Sequence, residues 1–249
     1  MMTSRHGRRA LVTRPRGDAV ALAEALDGRG IEAIIEPLLD IRYRDEAPPD
    51  LAGVQAVLCT SANGVRALAR LSGERGIPLF AVGEATAERA RAEGYLRVES
   101  AGGNVEELAR LACERLLPGR GGLLHVAGSD VAGDLAGMLR DAGFAVDRLV
   151  LYEARPAARL SAPTVAALRN GFVDFALFFS PRTAAVFARL AEQAGVSAAL
   201  RTVTAVSISA AADRGLGDLA FGRRIIAETP DQQGLLRAID RLLAERGGR

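Results

Sequence analysis

The chain contains no lysine and no tryptophan, only two histidines and two cysteines, and aromatics make up just 4% of its 249 residues. Each shortage removes a class of chemistry. Without lysine there is no P-loop amine to hold a nucleotide's phosphates and no amine to form a Schiff base. All 32 basic residues are therefore arginine, and they are spread over both halves instead of being gathered into a nucleic-acid stripe. Scarce aromatics leave no stacking platform for nucleic-acid bases. Cys59 and Cys113 stand alone without C-x-x-C spacing, and His6 and His125 are far apart. That pattern offers neither a transition-metal cluster nor a Ser-His-Asp triad. Two isolated cysteines fit a reducing compartment. The basic start, MMTSRHGRRALV, carries an apolar run of only three residues, which reads as neither a signal peptide nor a membrane span, so a cytoplasmic location is expected.

What is present is ordinary for a globular protein: 49% hydrophobic residues, 25% charged, and a net charge of +2. The length exceeds the usual ~100 to 200 residues of one domain and suggests two modest ones. Read in order, short apolar runs alternate with helical periodicity. Arg9 to Thr13 is a strand, Ala19 to Asp27 a helix with Asp18 placed to cap it, and Ile31 to Glu36 a second strand, a parallel β-α-β unit. PLLDIRYRDEAPP then reads as an extended linker. Val54 to Thr60, Pro78 to Val82 and Leu96 to Glu99 are strands followed by helices at Val65 to Leu71, Thr86 to Glu93 and Val105 to Leu117, the last with Asn104 as its cap. The order restarts with the strand Gly122 to Val126, a helix from Ala132 to Ala142 and a strand from Ala145 to Leu151. Phe175 to Phe179, Val203 to Ser207 and Arg224 to Ala227 are strands, with helices at Ala184 to Ala194 and Gln232 to Ala244.

These pieces pair up. VLCTSANGVRAL matches ALFFSPRTAAVF, FAVGEATAERARAEGY matches TAVSISAAADRGLGDL, and VESAGGNVEELARLACERLL matches IIAETPDQQGLLRAIDRLLA. The opening VTRPRGDAVALAEALDGRGIEAIIEPLL matches HVAGSDVAGDLAGMLRDAGFAVDRLVLY. Four units recur in the same order at an offset of roughly 110 to 125 residues, too long for a solenoid and the size of a domain, so a tandem duplication is expected.

Several local motifs carry no function. Gly28 to Ala33 and Gly215 to Ala220 both satisfy G-x-G-x-x-A, but each follows a helix, as a C-cap does, and not the strand that a dinucleotide site requires. His125, within GLLHV, reads as a satisfied core histidine, Cys59 as packing, and the alternating charges of Glu84 to Glu93 as a solvated face. What remains is a recurring geometry. Six strand-to-helix junctions carry small hydroxyl or glycine residues: Thr13-Arg14, Thr60-Ser61, Gly83 to Thr86, Gly128-Ser129, Ser180, and Ser207 to Ser209. Ligands of open α/β sheets bind outside the carboxyl ends of the strands, and N–H and O–H donors without bases suit an anion.

The run T-R-P near the start, TSANGV, VG-x-x-TA, the glycine turn at 128, VLYEA at 150 and FFSPRTA at 178, in this order over nearly the whole chain, together resemble the uroporphyrinogen-III synthase family. The resemblance implies an α/β fold of two flavodoxin-like three-layer domains with parallel sheets, chain-swapped and joined by a two-strand hinge. One domain would be 1–38 plus 157–249, the other 44–148, with 39–43 and 149–156 as the hinge strands. It also implies a cofactor-free, generally monomeric enzyme that closes hydroxymethylbilane to uroporphyrinogen III with inversion of the last pyrrole ring and loss of water. No nucleic acid or membrane partner is implied, and contact with the preceding pathway enzyme would be transient.

The family's active-site tyrosine falls on Tyr152. Aligning Gly30 with Gly143 puts Leu39 opposite Tyr152, so the duplicated position became polar in one copy only. Ser61, Thr86, Gly128, Ser180 and Ser209 are carried over as binders of substrate carboxylates, with Arg14, Gly83 and Ser129 beside them. The chain departs from the family pattern where Ser207 replaces a glycine and where the turn GSDVAGD lacks arginines. Those departures keep a second expectation open, a weakly active or non-catalytic relative that binds a polycarboxylate or tetrapyrrole. A sugar-binding regulator shares the two-domain layout, but the export signal or DNA-binding segment that usually accompanies one is not found.

Overall fold

The structure, a computed structural model, describes residues 7–130 and 133–247. His6 and the expected helix start at Ala132 lie outside the described residues. The chain runs β1 (Arg8–Val12), α1 (Arg16–Asp27), β2 (Ile31–Ile35), β3 (Leu39–Tyr43), β4 (Val54–Cys59), α2 (Ala62–Leu71), β5 (Leu79–Ala81), α3 (Glu84–Ala92), β6 (Val98–Ser100), α4 (Val105–Arg115), β7 (Gly122–Gly128), α5 (Leu135–Asp141) and β8 (Val146–Pro156). It continues with α6 (Ala162–Arg169), β9 (Phe175–Phe178), α7 (Pro181–Gln193), a 3-10 turn at Ser197–Thr202, β10 (Thr204–Ser207), α8 (Ala210–Arg214), β11 (Arg223–Ile226) and α9 (Gln232–Gly247).

These elements form two compact units. Unit 1 comprises the residues up to Asp40 and those from Pro156 onward, and unit 2 comprises Ile41–Arg155. The divisions therefore fall inside β3 and at the end of β8. Unit 1 has a five-stranded sheet of order β2-β1-β9-β10-β11, parallel throughout. This is the 2-1-3-4-5 order of a doubly wound fold. Unit 2 has the order β3-β8-β7-β4-β5-β6. Its last five strands are parallel and repeat the same spatial scheme, with the β-α-β piece (β7, α5, β8) coming last in the chain instead of first.

Each sheet is covered on both faces, which is why its central strands read as unbroken apolar runs. In unit 1, Leu11, Ala176 and Phe178 pack toward one cluster, with Phe187 and Leu190 of α7. Their neighbours Val12, Phe175 and Leu177 point into the other, with Leu22 of α1 and Leu235 of α9. In unit 2, Val57, Cys59 and Val126 face α2, while Leu58, Leu123 and Val146 face α4 and α5. Successive residues of a strand point to opposite faces, so one apolar run serves two cores.

Three local expectations are corrected. Asp18 is not a cap: α1 begins after Pro15, whose fixed φ suits a helix start, and Asp18 sits within the first turn, where its carboxylate meets the positive helix end and comes within 4.0 Å of Arg14. α6 is not among the expected elements, and its start is built on Ala162-Pro163. A proline in the first turn loses no intrahelical bond, and Ser161 caps the helix. Glu36, 5% exposed at the end of β2, anchors that start by accepting from the Ser161 N–H (3.0 Å) and from the hydroxyls of Ser161 and Thr164. The helix after β7 is shorter than its counterpart α1, seven residues against twelve, and is capped by Asp134. No helix among the described residues is long and apolar enough to cross a membrane.

Candidate active site

In a doubly wound sheet the ligand crevice opens at the carboxyl ends of the two strands whose connections leave to opposite faces. That point lies between β1 and β9 in unit 1 and between β7 and β4 in unit 2.

In unit 2, Ser61 follows β4 and caps α2. Its backbone is extended (φ −160°, ψ 154°), and its Oγ accepts from the Gly64 N–H at 3.1 Å. Tyr152 lies on β8, and β7 runs between β8 and β4, so two strand spacings, roughly 9 to 10 Å, separate the strands that carry the pair. The tyrosine side chain spans this gap, and its Oη is 2.7 Å from Ser61 Oγ. It does so by lying across Gly128, the last residue of β7 and its register partner. A Cβ on residue 128 would meet Tyr152 Cζ at 2.8 Å and Cε2 at 2.9 Å. Gly128 does not adopt the left-handed conformation, so this close approach, not backbone freedom, is what excludes a side chain.

The β7–β8 ladder shifts register between Ala127 and Gly128, a local irregularity of the kind that re-aims a side chain. The ring is only 8% exposed and packs with Val65, Leu68 and Val126. The Ser129 N–H donates to the Tyr152 carbonyl at 2.9 Å, so that amide is already used, while the Ser129 side chain is exposed. The turn after Gly128 lacks arginines of its own, but β8 supplies one: Arg148 donates to the carbonyls of Gly128 (3.0 Å) and Ser129 (3.2 Å). One strand further out, Gly83 caps α3 and the Thr86 N–H bonds its carbonyl at 3.0 Å.

In unit 1, Thr13 at the end of β1 donates across the switch point to the Leu177 carbonyl (2.7 Å). Arg14 bonds Gln232 (2.9 Å) and lies 4.4 Å from the centre of the Phe179 ring. Ser180 caps α7 through the Thr183 N–H (3.1 Å), and its hydroxyl pairs with that of Thr183 (2.8 Å). Ser209 caps α8 through the Ala212 N–H (3.2 Å), one strand further out. Ser180 (φ −159°, ψ 154°) and Ser209 (φ −156°, ψ 163°) repeat the Ser61 backbone. One junction design is therefore used three times.

The nine expected site residues fall into two sets. Tyr152, Ser61, Gly128 and Ser129 converge at the switch point of unit 2, with Gly83 and Thr86 beside them. Arg14 and Ser180 each follow a strand that borders the switch point of unit 1, with Ser209 one strand further out. Two sequence readings change. By its place at the helix cap, Ser209 and not Ser207 is the counterpart of Gly83. Ser207 is instead the last residue of β10, fully buried, with its hydroxyl unpartnered among the described residues. His125 is buried as expected, but it is not satisfied, since neither ring nitrogen has a partner among the described residues. Burial, assisted by Arg148, lowers its pKa to about 4, so it stays neutral. Burial also pushes Cys59 up to about 12, which makes it a packing residue and no nucleophile.

Sequence reasoning named Tyr152, Ser61 and Gly128 but missed that they form one contact, and it missed Arg148 altogether. No local signal links residues 91 positions apart. Among the described residues no group of three or more His, Cys, Asp or Glu is placed to hold a metal.

Parallel sheets whose switch points carry hydroxyls, amides and arginine, with one buried tyrosine, define a doubly wound α/β protein. The model of the family described as uroporphyrinogen-III synthase HemD matches residues 20–237, and the chain belongs to that family. Two solved structures share its fold. Uroporphyrinogen-III synthetase from Helicobacter pylori is 18% identical, with TM-score 0.62 and coverage of 95% of this chain and 100% of that one. A mutant uroporphyrinogen III synthase from the extremely thermophilic bacterium Thermus thermophilus is 20% identical, with TM-score 0.58 and coverage of 96% and 99%. No curated protein sequence matches the chain significantly.

Proposed function

We propose that this chain converts hydroxymethylbilane into uroporphyrinogen III, inverting ring D and releasing water, with Tyr152 as the acid that assists the departing hydroxyl. The observation that carries this reading is the phenol laid across Gly128 onto Ser61 at a switch point, in a member of a family of cyclising lyases. The terminal C–O bond breaks with its electron pair on oxygen, the phenol proton joins that oxygen to give water, and the pyrrole nitrogen's electrons fill the carbon centre. Attack on the resulting azafulvene cation by the substituted carbon of ring D gives the spiro intermediate. Hydroxyls and amides of the junctions, with Arg14, suit the substrate's eight carboxylates. They steer it by position, an effect worth up to ~7 to 11 kcal/mol in favourable cases, of which only the difference between the spiro route and direct closure matters.

The domain arrangement belongs to this proposal: 1–38 with 157–249 and 44–148 as chain-swapped domains, and 39–43 and 149–156 as a two-strand hinge that lets them close. So do cytoplasmic, monomeric operation without a cofactor and a transient contact with the preceding enzyme. The test is product analysis. Fresh hydroxymethylbilane should yield the type III isomer with the protein and type I without it, read by chromatography after oxidation. Folded protein that leaves the product type I refutes the proposal.

One observation favours a second reading, a binding relative with weak or no turnover. With Ser207 buried, the β10 junction offers only the Ser209 hydroxyl. Saturable binding of uroporphyrinogen without isomer-selective turnover would decide for it.

A further inference from the structure

We propose that Ser61 is a positioning residue that acts through Tyr152 and does not bind a substrate carboxylate. The inference rests on the reading of Tyr152 as the acid. A serine hydroxyl has one proton and two lone pairs. The Gly64 N–H takes one lone pair at 3.1 Å, and Tyr152 Oη, at 2.7 Å, takes either the other lone pair or the proton. If Ser61 accepted from the phenol, the tyrosine proton would be locked away from the leaving hydroxyl. An acid at Tyr152 therefore requires Ser61 to donate. Its proton is then committed to the phenol oxygen, and a carboxylate arriving at Ser61 meets only a lone pair.

The surroundings hold the serine in that role. The first turn of α2 is pressed on β7, where a Cβ on Gly64 would come 3.2 Å from the Val126 carbonyl, so the amide that anchors Ser61 has little room to move. The Gly128 slot fixes the ring from the other side. When the phenol proton passes to the departing oxygen, the phenolate left behind accepts the Ser61 O–H, and the Ser61 oxygen accepts the Gly64 N–H at the positive end of α2. The proton released when the closed ring regains its aromatic pyrrole restores the phenol, so no proton is gained or lost by the protein.

The test uses the full chain with Ser61→Gly, Ser61→Thr, Tyr152→Phe and the double variant Ser61→Gly/Tyr152→Phe. It measures steady-state kinetics on hydroxymethylbilane and the pH titration of the Tyr152 Cζ signal in protein labelled with 13C-tyrosine. Glycine is well tolerated at a helix N-cap, so Ser61→Gly removes the hydroxyl while keeping α2. Should it fail to fold, Ser61→Asp caps equally well but can only accept, so a lowered kcat and a raised phenol pKa are expected of it too, while its added charge opposes the substrate's carboxylates and takes KM out of the comparison.

The expected result is kcat lowered about 10- to 100-fold with KM within about twofold, a raised phenol pKa, recovery in Ser61→Thr, and no further loss when Ser61→Gly is added to Tyr152→Phe. A slow Tyr152→Phe combined with an additive Ser61→Gly loss, a raised KM at unchanged kcat, or an unmoved Tyr152 titration overturns the role of Ser61 alone. A Tyr152→Phe chain with full type III activity overturns the tyrosine assignment, and this inference with it.

Discussion

Replacing Gly128 by alanine isolates the contact on which the unit 2 site depends. The new methyl carbon would sit 2.8 Å from Tyr152 Cζ, 2.9 Å from Cε2 and 3.1 Å from the hydroxyl oxygen. An ordinary carbon contact needs about 3.5 Å or more, so the ring must lift by roughly 0.7 Å or the end of β7 must bend. The 2.7 Å bond to Ser61 stretches in the same movement. Overpacking of this kind costs about 1 to 3 kcal/mol, and a weakened buried hydrogen bond adds about 1 kcal/mol. A loss of about 2 to 4 kcal/mol lowers Tm by about 4 to 15 °C in a chain of this size. Misplacing the reacting group by up to 1 Å costs about 100-fold in rate. Thermal unfolding and the isomer assay read the two effects. The control is Gly128→Ala in a Tyr152→Ala background, where the ring is gone and the methyl group has room, so the added loss of stability should nearly vanish. A Gly128→Ala chain with native Tm and rate, or an equal loss in both backgrounds, refutes the close-approach reasoning.

Tyr152→Phe itself keeps the ring packing and should lose only about 1 kcal/mol of stability while slowing turnover by about 100-fold or more; denaturant unfolding beside the isomer assay separates the two. His125 predicts a pH effect. Its folded pKa, about 4, lies below the unfolded value of about 6.5, so the unfolded chain binds more protons between them. The stability that depends on a neutral His125 is therefore present above pH 6.5 and lost as pH falls toward 4, up to about 3 kcal/mol, and His125→Leu should flatten that part of the stability profile in urea titrations. Glu36→Ala strips the buried acceptor from Ser161 and Thr164 and should cost about 2 to 4 kcal/mol, with proteolysis appearing first near α6. Arg14→Ala removes a guanidinium that packs on Phe179; we expect a higher KM with kcat nearly unchanged.

Much of this protein can be read locally. The strand runs, the helices and the caps at Ser61, Asn104 and Ser180 follow from alternation, from 3.6-residue periodicity and from side chains that reach an amide three residues on. The internal repeat predicted two similar sheets, and five strands of the unit 2 sheet repeat the spatial order of unit 1, with β3 added at the edge. Misreadings arose where a residue's meaning depends on a partner elsewhere. No element is expected over Ala162 to Arg169, where a helix starts from Ser161 and Pro163 and is anchored by the distant Glu36, and His125 is expected to be satisfied although neither ring nitrogen has a partner among the described residues.

What the sequence determined by itself is a set of strand-to-helix junctions rich in hydroxyl and glycine residues, repeated in two copies, and a tyrosine that only one copy carries. Its interactions act over three or four residues, and those distances set caps and periods. Only the tertiary structure decided that Tyr152 would reach Ser61, because that contact depends on β7 lying between β8 and β4 and ending in a residue without a side chain. Strand order comes from packing the whole sheet, so the same three residues in any other order of strands would never meet.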